Sequence, residues 1–140
     1  MSDRRQARKI LSVAMVRVPL AISFGAIAGS LSRYYMTLNL TQWLGTTFPF
    51  GTFFVNLLGA LVMGFFTTLS VNQTFISPDL RLIVTVGFLG SYTTFSTYEL
   101  DTEKLLIDRH WNMTVVYGIS SALLGVLCLE LGSYLARRLS

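Results

Sequence analysis

The sequence predicts an all-α integral membrane protein with four transmembrane helices per chain, the third broken near its middle. Three observations carry that prediction. Of 140 residues, 52% are hydrophobic and only 13% are charged, whereas soluble domains carry about a quarter charged residues. Mean hydropathy is +0.57. Four apolar stretches approach the length of about 20 residues that a helix needs to cross a bilayer, and the connections between them are too short for a soluble domain.

The elements follow in order. Residues 1–12 form a basic N-terminal tail, and residues 13–140 one four-span unit with spans at about 13–38, 50–70, 82–106 and 114–137. The basic start and apolar follow-on resemble a secretory signal. However, the apolar run continues without a small-residue cleavage site, so the first span is read as retained. Arg17 and Pro19 interrupt it near its start, the second span carries no charge, and Glu130 lies near the end of the fourth. The stretches "TLNLTQWLGTTFP", "VNQTFISPD" and "DTEKLLIDRHW" are expected as connections, the first two marked by Asn, Thr and Pro.

The formal charge is +4, but the charges sit at the ends of apolar runs. That pattern points to a membrane surface and not to nucleic acid. With the N-terminal cluster set aside, Arg81, Arg137 and Arg138 on one side face Arg33, Lys104 and Arg109 on the other. So even a distribution gives a weak orientation signal, compatible with insertion both ways up. Cys128 has no partner for an intrachain disulfide and reads as an apolar filler. His110 beside Trp111 reads as an interfacial anchor. No Walker, HExxH or Cys/His metal pattern is present, and no constellation supports an enzyme.

Polar stripes run along three spans at a spacing of four, which keeps residues on one helix side. They are Ala21, Gly25, Gly29 and Arg33; then Thr52, Asn56, Ala60 and Gly64; then Tyr117, Ser121 and Gly125. Small residues let membrane helices approach closely, which is the plain account of the glycines. Asn56 needs partners, since an unsatisfied amide in lipid costs several kcal/mol. Interhelical bonding and contact with a passing polar solute both satisfy it, and Tyr117 and Ser121 pose the same alternatives.

The third span holds "GFLGSYTTFSTYEL", residues 87–100. Its run of β-branched and aromatic residues after Gly90 is a poor helical composition. A break around Gly90 to Thr94 is expected. Carbonyls freed there must be satisfied by protein, water or an ion, and they are hard oxygen ligands suited to a hard cation. Glu99 and Glu103 read as a solvated helix end.

At these residues the chain resembles the Fluc (CrcB) family of fluoride channels. The resemblance is carried by "GSLSRYY", by "GTFFVNLLGALVMGF" and most specifically by "GFLGSYTTFSTYEL", in that order across four spans. It implies a passive fluoride-selective channel of the cell (inner) membrane, protecting the cell from fluoride. It implies an antiparallel, dual-topology homodimer with two fluoride pathways along the interface. It also implies a structural Na+ on the dimer axis, held by the carbonyls of Gly90 and Thr93. The pathway residues it implies are Asn56, with Thr52 one turn before; Phe95 and Tyr98, the latter a tyrosine where the family has phenylalanine; Ser96 and Thr97; and Tyr117 and Ser121, with Gly125 lacking the next hydroxyl. Asp101 stands where the family has a glutamate, and Arg33 fits the family's first-span arginine.

Fluoride is small and tightly hydrated, so donors must replace its water. Asn56, Ser121 and Tyr117 can donate, and Phe95 can present an electropositive ring edge. A four-helix multidrug or cation exporter is the alternative. It would need a carboxylate at the centre of the membrane, and the first span has none.

Overall fold

The computed structural model describes residues 2–72 and 76–139, with side chains for residues 15–71 and 76–139. Every regular element among the described residues is helical, with no strand. The elements are α1 (Ser2–Leu44), α2 (Phe50–Asn72), α3 (Pro78–Arg81), a π-helical run (Leu82–Leu89), α4 (Gly90–Tyr92), α5 (Phe95–Ile107) and α6 (Trp111–Leu139). Three helical segments are long and apolar enough to cross a membrane: Met15–Leu44, Phe50–Val71 and Trp111–Leu139. The third sequence span is made of shorter pieces laid end to end.

The first helix is longer at both ends than the expected span. It begins at Ser2, so the basic segment is continuous with it. It also runs through "TLNLTQWL", expected as a connection. That stretch holds no proline or glycine before Gly45, which has φ +82°. The Gly45 N–H bonds to the Thr41 carbonyl at 3.0 Å. This is the left-handed stop that glycine supplies without a Cβ penalty.

Each later boundary has a local cause. Ser77 caps α3, its hydroxyl accepting the Leu80 N–H at 3.2 Å, and Pro78 follows in the first turn, where its missing N–H costs nothing. Thr94 caps α5, its Oγ1 accepting the Thr97 N–H at 3.2 Å. Helix α5 ends with Arg109 at φ 57°. There the His110 N–H bonds to the Leu105 carbonyl at 2.9 Å and the Arg109 N–H to the Leu106 carbonyl at 3.1 Å. This is a Schellman ending with arginine in the usual glycine position.

Glycines set the two main helix contacts. A Cβ at Gly25 or Gly29 would collide with the backbone of Ile83 or Phe88, and one at Gly87 with the Ile22 carbonyl. So α1 and the π-helical run touch backbone to backbone. On the other side, a Cβ at Gly64 would strike the Leu129 carbonyl, and one at Gly132 the Leu61 carbonyl. The Ser133 hydroxyl donates to the Gly64 carbonyl at 3.2 Å across that contact. Gly59 abuts Thr93 and Tyr92. Close packing therefore accounts for Gly25, Gly29, Gly59 and Gly64. Gly125, on the same expected stripe as Tyr117, faces nothing within 4 Å.

The interior is thin. Tyr117, Leu89 and Val55 are the largest fully buried side chains. Long apolar side chains such as Phe24, Ile27, Ile119 and Leu127 point outward. Such a surface suits lipid or another apolar protein face, not water.

Candidate functional site

The site is the break in the third span. Thr93 (φ −78°, ψ 157°) and Thr94 (φ −151°, ψ 116°) are extended, between α4 and α5. The break thus falls within the expected Gly90 to Thr94 window. A continuous helix would bond the Thr94 N–H to the Gly90 carbonyl. Instead the Thr94 N–H donates to Asn56 Oδ1 at 2.8 Å, and Asn56 Nδ2 donates to the Thr94 carbonyl at 3.0 Å. One side-chain amide thus satisfies both backbone groups of the interrupted residue. The Gly90 carbonyl is left without its helical donor.

The Thr93 carbonyl accepts from Arg33 Nη1 at 3.3 Å. The sequence reading grouped Arg33 with the charges beyond the far side. However, the helical rise puts it only about 24 Å along α1 from Arg17, level with the break. At the near end Arg17 pairs with Asp79, and Arg81 donates to the Ser70 carbonyl.

Two largely apolar clefts with a few polar groups flank the break, and Thr94 lines both. The first, of about 280 Å³, is bounded by Asn56, Thr93, Thr94, Phe95, Tyr98, Ser121 and Ala122. The second, of about 390 Å³, includes Arg33, Thr37, Thr41, Thr52 and Thr97. The Thr94 hydroxyl also lies 2.9 Å from the Thr97 hydroxyl and 3.4 Å from the Ser96 hydroxyl. The sequence-predicted residues therefore separate into two groups. Asn56, Phe95, Tyr98 and Ser121 share the first cleft; Arg33, Thr52 and Thr97 share the second.

Asp101, Tyr117, Ser96 and Gly90 lie behind or outside these clefts, and the first three contact residues that line them. Thr52 donates to Asp101 Oδ2 at 2.6 Å. Tyr117 is completely buried, its hydroxyl beside that pair but without a hydrogen bond of its own. Its ring stacks obliquely on Tyr98 at 5.3 Å and edge-on to Phe48 at 5.4 Å. Tyr98 in turn lies 5.6 Å from Phe95. Phe95 is 71% exposed, and Ser96 and Gly90 face outward with it. The Ser121 hydroxyl is buried in the first cleft with no partner. The Tyr98 hydroxyl donates to the Gly118 carbonyl of α6 at 2.9 Å.

Sequence reasoning missed Thr94, which divides the two clefts. Its signal was a threonine three residues before Thr97 at the start of a helix, the pattern of an N-cap. It also missed Gly118, which acts through a carbonyl and leaves no trace in residue type.

Fold and site together define a polytopic helical membrane protein organised around an interrupted third span. The family model described as CrcB-like protein, Camphor Resistance (CrcB), matches residues 20–133. Similar curated proteins include the fluoride-specific ion channel FluC of Trichormus variabilis, 50% identical over 91% of this chain and 94% of that one. The proteins of the same name from Synechococcus and Synechocystis are 52% and 46% identical, over 87% and 91% of this chain and 94% and 98% of their own. This chain belongs to the CrcB family.

Proposed function

We propose that the protein is a passive fluoride-selective channel of the inner membrane. The observation that carries the reading is the first cleft. The Ser121 hydroxyl is buried there without a partner. Opposite it, Asn56 Nδ2 uses one N–H on Thr94, and a second remains. Unpaired donors at membrane depth are costly, and a small dehydrated anion offsets that cost. Phe95 borders the same cleft, and an aromatic ring carries an electropositive edge that can face an anion. The similar proteins are named fluoride-specific channels, which supports the same ligand.

The functional unit in this reading is an antiparallel dual-topology homodimer. Phe95, Ser96 and Gly90 face outward at the break. Exposed irregular backbone is tolerated at membrane depth only where protein or water covers it. A second copy supplies that cover, and the weak charge bias around the spans, three cations against two once Arg33 is placed at the break, fits insertion both ways up. The pathway then runs from the second cleft, with Arg33, Thr52 and Thr97, past Thr94 to the first, with Asn56, Phe95, Tyr98 and Ser121. Asp101, Tyr117 and Ser96 border it.

The residues at the break fit a structural Na+. The Gly90 carbonyl lacks its helical donor because Asn56 takes the Thr94 N–H. The Thr93 carbonyl accepts one bond from Arg33 and keeps a second lone pair. The bound ion would supply fixed positive charge that joins two broken helices. Fluoride efflux from proteoliposomes, measured with and without excess chloride, tests the reading. Flux that chloride does not suppress supports it; no flux above protein-free vesicles removes it.

A further inference from the structure

The Tyr98 hydroxyl invites a ligand role, because it sits beside the first cleft and can donate. Its proton is already committed. It donates to the Gly118 carbonyl at 2.9 Å. That carbonyl lies one turn before Ser121 and Ala122, which form the opposite wall of the cleft. The ring also packs obliquely against two neighbours, 5.6 Å from Phe95 and 5.3 Å from Tyr117. The bond leaves from the far end of the side chain, where it best opposes a swing of the ring about χ1. Phenylalanine has the same ring and no such anchor.

We propose that Tyr98 is a positioning residue: its hydroxyl latches α5 to α6 and fixes the width of the first cleft, so that larger anions are excluded. The selectivity part rests on the fluoride-channel reading; the latch does not. With the hydroxyl removed, the ring swings and the two walls part. Chloride loses its hydration more readily than fluoride, so it is held back chiefly by width, and it gains most from the release. A steady increase in fluoride flux alone is not the expected signature.

The test uses full-length protein and its Tyr98→Phe variant in two measurements. The first is amide hydrogen exchange of the α5 segment in lipid. Loss of one hydrogen bond raises exchange of residues 95–107 by roughly three- to tenfold while leaving α2 unchanged. The second is the ratio of fluoride to chloride flux in proteoliposomes, expected to fall by a similar factor. Unchanged α5 exchange would overturn the latch. Faster exchange with an unchanged flux ratio would overturn its role in selectivity. A parent protein without fluoride flux would overturn the channel reading and the selectivity part with it, and the exchange measurement would still decide the latch.

Discussion

Replacing Asn56 by alanine removes the amide that holds the break together. Both lost bonds are to the same residue: the Thr94 N–H at 2.8 Å and the Thr94 carbonyl at 3.0 Å. Each backbone group left unpaired costs about 1–3 kcal/mol, so the pair costs about 2–6 kcal/mol. Thr94 lines both clefts, and water reaching it brings the loss toward the lower end, about 2–3 kcal/mol. Thermal unfolding in detergent and amide exchange at Thr94 measure this directly. Asn56→Asp separates bracing from simple loss of volume. The ionised acid accepts the Thr94 N–H but sets a second oxygen against the Thr94 carbonyl. The protonated acid accepts at one oxygen and donates at the other, as the amide does. The variant is therefore more stable at acidic than at neutral pH, relative to the parent at each pH. An Asn56→Ala protein as stable as the parent, with the Thr94 amide equally protected, would refute the bracing role.

Three further perturbations follow from the geometry. Gly64→Ala and Gly132→Ala each drive a methyl into a backbone carbonyl of the facing helix; each should lower stability by about 1–3 kcal/mol, whereas Gly125→Ala, with open space around it, should leave the melting temperature unchanged. Thr94→Ala removes the α5 cap and should cost about 1 kcal/mol, with Thr94→Ser restoring most of it, read by thermal unfolding. Arg17→Ala breaks an ion pair whose side chains are 65% and 29% exposed; its effect on stability should stay below about 1 kcal/mol and shrink further in high salt.

Much of this was legible in the sequence because lipid imposes a simple rule. Long apolar runs, charge-free in the second span and nearly so in the fourth, marked those spans, and they are α2 and α6. The stretch after Gly90 announced its own break through residues that neither favour a helix nor belong in lipid. Two features left no such mark. Nothing in "LIVTVGFL" distinguishes π from α turns, since the difference lies in which carbonyl each N–H selects; the Gly90 N–H, for example, reaches the Thr85 carbonyl. The depth of Arg33 was misread because α1 continues eleven residues beyond it to Leu44, through polar residues resembling a loop. The glycine stripes were legible as packing faces, but only the structure pairs Gly25 with Gly87 and Gly64 with the backbone beside Gly132.

The channel reading stands or falls on selective anion flux. Purified protein reconstituted in liposomes loaded with potassium fluoride, with valinomycin carrying the compensating potassium, reports efflux at a fluoride electrode. The account predicts rapid fluoride loss that persists with excess chloride outside, and negligible chloride loss from matched vesicles loaded with potassium chloride. Chloride loss as fast as fluoride loss, or fluoride loss no faster than from protein-free vesicles, would contradict it.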